Sequence, residues 1–161
     1  MTRFASNGIG VDVPPGWDAQ IRPAGRSGPA ATDRQAETLP AGVGSVLHTA
    51  SFALPAERGD YGSGAVEVMG GSDILICVLE HEPEATTTAL FRTEGVPALD
   101  ATQFSPQSMQ RAVAGMAGAQ HFFQVQGRPF CLYVVIGSWH TRGPLVRTAA
   151  GVVRTLDLTA A

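Results

Sequence analysis

Hydrophobic positions along this chain change period several times, and the changes divide it into strands, connections and helices. From Gly8 to Val13, Ile9, Val11 and Val13 alternate with Gly10 and Asp12, the pattern of a half-buried strand that Pro14-Pro15-Gly16 stops sharply. Trp17 follows at once, and Ala19 to Arg22 predicts a short second strand. Pro23 to Gly42 has no apolar period and is rich in Gly, Pro, Ala, Ser and Thr, which predicts a long mobile surface loop. Strand character resumes in Val46 to Leu54 and in Ala65 to Met69, and Gly70-Gly71 suggests a hairpin turn. Asp73 to Glu80 (DILICVLE) is almost continuously apolar, as expected of a central strand covered on both faces.

His81 to Thr88 and Arg92 to Thr102 read as irregular connections carrying Pro83 and Pro97. Ser105-Pro106 is an N-cap and first-turn pair that predicts a helix through about Met116, with Met109, Val113 and Met116 on one stripe and Gly118 beyond its end. The runs Phe122 to Val125 and Phe130 to Ile136 flank Gly127-Arg128-Pro129 and predict a hairpin. After Gly137 the period becomes helical: Leu145, Val146, Ala149, Val152, Val153 and Leu156 form one stripe, with Pro144 suited to a first turn. This order predicts a single α+β domain over residues 1–161, a twisted antiparallel sheet of about six strands with helices packed on its faces. At 161 residues the chain buries roughly two-thirds of its unfolded surface without help from a metal or disulfide.

The opening strand closed by proline and tryptophan (GVDVPPGW), the antiparallel meander, and the pair GRPFCLYVVIG followed by LVRTAAGVVRTLDL resemble the PsbP-like fold. That fold is shared by extrinsic photosystem proteins, a Ran-binding nuclear import factor and actinobacterial proteins of the LpqN type. The resemblance implies a binding or assembly role without a catalytic centre. The chain departs from those members in having no lipobox cysteine near its start and no transit peptide, and it offers no basis for a Ran-like partner. No functional residue carries over from the family.

Composition narrows the chemistry. Charged residues are 16% of the chain and the net charge is -3, so there is no basic field to hold a nucleic acid or an anionic membrane. All eleven basic residues are arginine and Asn7 is the only asparagine, a bias that points to a GC-rich bacterial genome and removes Schiff-base and P-loop lysine chemistry. The first residues lack the apolar region of a signal peptide, and no run reaches the roughly 20 apolar residues of a membrane span, so a cytoplasmic location is expected.

Cys77 and Cys131 lie inside apolar strand runs and read as core thiols. Pairing Cys131 with His121 or His140 would make a thiol nucleophile with a base, but hairpin register decides whether they share a face. Glu80-His81-Glu82-Pro83-Glu84 is the best metal candidate, although successive residues of an extended chain point to opposite sides. The glycine pairs Gly8-Ile9-Gly10 and Gly42-Val43-Gly44 lack the third glycine and the helix of a dinucleotide site, and no cofactor is implied. Trp139, His140 and Arg142, in the loop before the last helix, and Trp17 after the first strand are the candidate binding residues, because Trp and Arg supply large contact areas and donors. The expected function is a non-catalytic interaction or assembly module that meets another protein or a second copy of itself. The competing expectation is a small-molecule-binding or hydrolytic domain with an apolar pocket between sheet and helix.

Overall fold

In a computed structural model, which describes residues 1–23 and 44–159, the chain is mixed α+β. Its strands are β1 (Thr2–Ser6), β2 (Ile9–Val13), β3 (Asp18–Pro23), β4 (Ser45–Ala50), β5 (Ile74–Glu80), β6 (Ala117–Val125) and β7 (Arg128–Ile136). One α-helix, α1 (Arg142–Val153), follows them. Pairing is antiparallel throughout, in a two-stranded sheet β1-β2 and a five-stranded sheet of order β3-β4-β5-β7-β6. The strands expected in one sheet of about six are thus divided between two sheets, and among the described residues one α-helix packs on them. The loop expected over 23–42 lies outside the described residues apart from Pro23, which ends β3.

Both hairpins turn on two residues with positive φ. Asn7 (53°) and Gly8 (77°) join β1 to β2, and Gln126 (49°) and Gly127 (75°) join β6 to β7. Such turns match the right-handed twist of the strands they connect. The second turn therefore sits one residue earlier than the Gly127-Arg128-Pro129 expected, and Arg128 and Pro129 are already in β7, where Pro129 lends its carbonyl to the His81 N–H (2.8 Å).

Alternation along β5 feeds two cores. Ile74, Ile76 and Val78 face a core completed by Ile9, Val11 and Val13 of β2 and by Val146, Ala149, Val152 and Val153 of α1. Leu75, Cys77 and Leu79 face the other core, which is covered by Leu54, Ala65, Val66, Met69 and Met116. These last five come from connections without an α-helix. Ala65 to Met69 is not a strand: Val66–Val68 is a single 3-10 turn, and burial of Ala65, Val66 and Met69 follows a period of three to four, not two.

The helix expected over 105–116 is also absent. Ser105 caps only the short turn Pro106–Ser108, because the Ser105 backbone exchanges both hydrogen bonds with Gly118 (3.0 Å each) and is held along the β6 edge. Met109, Val113 and Met116 still pack on the second core, as an irregular strap.

Arg128 fastens the pieces together. Its Nε and Nη2 donate to the two carboxylate oxygens of Glu80 at 2.9 Å each, its Nη1 to the carbonyls of Gly8 (3.0 Å) and Leu158, and its guanidinium lies 5.0 Å from the centre of the Phe130 ring. One side chain thus joins the end of β5, the β1–β2 turn and the C-terminal tail. A Cβ at Gly8 would stand 2.8 Å from Arg128 Nη1, so the turn glycine serves this contact as well as its own φ.

Glu80 keeps only 12% of its side chain exposed, so removal of the cation strands a desolvated carboxylate. Arg128→Ala is expected to cost about 3 kcal/mol in urea unfolding. The paired apolar replacement Arg128→Met with Glu80→Leu should cost less than the two single changes summed, and additivity would show that the pair is not coupled.

Candidate functional site

Trp139 and Arg142 form the most organised exposed corner. β7 ends at Ile136, and the chain turns through Gly137 so close to Gly70 that a Cβ there would fall 1.9 Å from the Gly70 carbonyl oxygen. The Gly137 N–H donates to Asp73 O at 2.9 Å and the Trp139 N–H to Gly115 O at 2.7 Å, which fixes the loop to two neighbouring connections. The indole is half-buried against the helix-side core. The Arg142 guanidinium lies 3.9 Å from the centre of the indole ring and donates through Nη1 to Trp139 O at 2.9 Å. The cation and the ring are thereby held together before any partner arrives.

His140 and Thr141 are exposed between them. Trp17 packs half-buried at the margin of the same core, its N–H bonded to Pro14 O at 3.2 Å, and makes no ring contact with Trp139. The structure therefore joins Trp139, His140 and Arg142 in one corner and leaves Trp17 apart.

Register separates the proposed thiol and base. Cys131 faces Phe122 and Leu132 faces His121, so His121 stands on the opposite side of the sheet from Cys131. His121 Nε2 lies 3.1 Å from Gln103 Oε1, while Cys131 Sγ accepts from Gln120 Nε2 at 3.4 Å. Both cysteines are free and buried, and burial pushes both thiols up, away from the thiolate that nucleophilic chemistry needs. The acidic run after β5 is dispersed as well: Glu80 is committed to Arg128, and the His81 ring centre lies 5.2 Å from that of Phe91 and 6.5 Å from that of Phe122. Among the described residues no group of three or more His, Cys, Asp or Glu is placed to hold a metal.

A polar row crosses the second face, and its arrangement escapes sequence reading. Gln20, His48, Cys77, Tyr133 and Gln120 are successive register partners across the five strands. Arg58, from the connection after β4, is buried above its β3 end with only 2% of its surface exposed. Its Nε donates to His48 Nδ1 (2.7 Å), Nη1 to Pro55 O (2.6 Å) and Nη2 to Gln20 Oε1 (2.6 Å). Since Nδ1 accepts, the His48 ring proton is on Nε2, which donates to Asp60 O at 2.8 Å. Burial, opposed by the Asp60 carbonyl and reinforced by Arg58 and Arg22, lowers His48 to about 4. Both ring nitrogens are committed and the neighbouring thiol is protonated, so this is a fastening and not a catalytic dyad. Spacing gives no hint of it, because only register sets His48 opposite Gln20 and Cys77.

Two concave regions among the described residues bear on function. A cleft of about 50 Å³ between Tyr61, Val66, Gln110 and Tyr133 lies on the second face, away from α1, and has room for a few water molecules. A shallower groove of about 250 Å³ runs between α1 and residues 99–101. Among the described residues no helix is long and apolar enough to cross a membrane. Comparison with known proteins found no matching family model, no matching curated protein and no matching solved structure.

The fastening predicts an acid response. The folded ring takes up its proton only near pH 4, whereas the unfolded chain does so near the ordinary value of 6.5, so between these values the unfolded chain binds more protons and stability falls as pH falls. A shift of this size corresponds to about 3 kcal/mol, present above pH 6.5 and lost progressively towards pH 4. Urea unfolding at a series of pH values should show this loss in the wild type and a flatter profile in His48→Gln.

Proposed function

We propose that this chain is a non-catalytic interaction module that recognises another protein, or a second copy of itself, through the corner formed by Trp139, His140 and Arg142. The observation that carries the reading is the stacked pair, a guanidinium 3.9 Å from an indole centre, half-buried and tied by the Trp139 N–H to Gly115. Binding energy at protein interfaces concentrates in Trp, Tyr and Arg side chains that are already ordered, because less rotamer freedom is lost on association. The resemblance of the strand and helix order to the PsbP-like fold agrees with an accessory role. A ligand-binding or hydrolytic reading draws less support: the apolar cleft of about 50 Å³ lies away from α1 beside a buried, protonated thiol, and the groove of about 250 Å³ beside α1 is shallow and lined by no cysteine or histidine.

The test is capture of a partner from the native cell with the full chain as bait. A stoichiometric partner is expected, with affinity reduced about thirtyfold or more by Trp139→Ala and by Arg142→Glu while α1 remains folded. Recovery of no stoichiometric partner, together with a monodisperse monomer in solution, overturns the reading.

A further inference from the structure

We propose that the groove beside α1 docks an acidic segment of a partner protein, with two carboxylates about 10 Å apart meeting Arg147 and Arg154 and an aliphatic side chain between them resting on Val146 and Ala150. The inference rests on the interaction reading above and gives the partner its chemistry. The floor is apolar: Val146 and Ala150 of α1 are buried, and Leu99 and Ala101 form the facing wall. Arg147 and Arg154 stand exposed on the rim. They are seven residues apart, two turns along one helix face, hence the separation of about 10 Å.

The charge of this surface opposes that of the whole. The chain carries a net -3, yet residues 142–156 contain Arg142, Arg147 and Arg154 and no acidic residue. Among the described residues, neither Arg147 nor Arg154 makes an ion pair or a side-chain hydrogen bond. The one acid lining the groove, Asp100, accepts through Oδ1 from the Thr102 N–H at 2.9 Å and the Thr102 hydroxyl at 3.0 Å, capping its own turn, and is ion-paired with neither arginine. Arg154 gains something from the negative end of its helix, but Arg147, in mid-helix, has no such account. Residues two turns apart along one rim match a peptide with carboxylates at the same spacing, each guanidinium meeting its own carboxylate. An acidic amphipathic helix laid along the groove places an aliphatic residue over the floor between two such carboxylates.

The probe is a helix-forming peptide of about 14 residues with glutamates seven apart and leucines between them, titrated into the isotope-labelled full chain and followed by amide chemical shifts. Shift changes in residues 99–101 and 143–154 are expected, weakening with added salt. Binding should be about tenfold weaker for the peptide with glutamine in place of glutamate and for Arg147→Glu with Arg154→Glu. Equal binding of the two peptides, perturbations centred elsewhere, or no perturbation at about 1 mM peptide overturns the proposal. Concentration-dependent shifts of the same amides without peptide also overturn it, in favour of a second copy as occupant. A captured native partner that is lost with Trp139→Ala but retained by the Arg147→Glu, Arg154→Glu chain would overturn the acidic groove and leave the interaction reading intact. If no partner is captured, the interaction reading fails and the titration alone decides the groove.

Discussion

A sheet whose central strands are apolar on both sides has to be covered twice, and the described residues offer one α-helix with which to do it. β5 and β7 bury nearly every residue they contain. On one side α1 and the β1–β2 hairpin supply a conventional apolar layer. On the other, the connections after β4 and before β6 must serve, and connections carry backbone polar groups that burial leaves in need of partners. Arg58 meets that need on the β3 side: buried itself, it binds Pro55 O in its own loop and reaches His48 and Gln20 on the sheet. On the β6 side Tyr133 accepts from the Gln110 N–H at 2.8 Å. The second cover is thus held by polar contacts buried within it, whereas the first combines apolar area with the Arg128 contacts at its margin.

That difference bears on function. Gly115 belongs to the second cover and Trp139 packs on the first core, so the bond between them ties the candidate corner to both layers. The corner is consequently an extension of the framework, and its cation–ring pair is presented at fixed geometry. The groove along α1 begins at Gly143, the residue after Arg142. A recognition surface on a rigid scaffold loses little freedom on binding, which favours the proposed interaction role.

Much of the first layer was legible in the sequence. The alternation of Ile9, Val11 and Val13, the unbroken run at β5, and the switch to helical period after Gly137 each report packing against a continuous apolar surface, where pattern and structure share a period. The Asn7-Gly8 dipeptide suits a hairpin turn, but the segment before it, Arg3 to Ser6, has little apolar content to mark β1. The second layer defeated pattern reading for a physical reason. Met109, Val113 and Met116 have helical spacing, but Ser105 is committed to pairing with Gly118, and that tertiary bond outweighs local propensity. His48 and Gln20 are brought together only by register and Arg58 only by the tertiary path of its connection, and Trp139 with Arg142 was visible as composition though not as a stacked pair.

The direct test of a polar-fastened second cover uses the two probes that nature placed on opposite faces: Cys77 and Cys131 beneath it, Trp17 and Trp139 on the other side. In Arg58→Met, alkylation of both thiols should accelerate by about tenfold or more while tryptophan fluorescence and the helical circular dichroism remain those of the wild type. Thiols as protected as in the wild type, or thiol exposure that arrives only together with loss of the tryptophan signal, would contradict this account of how the fold is held.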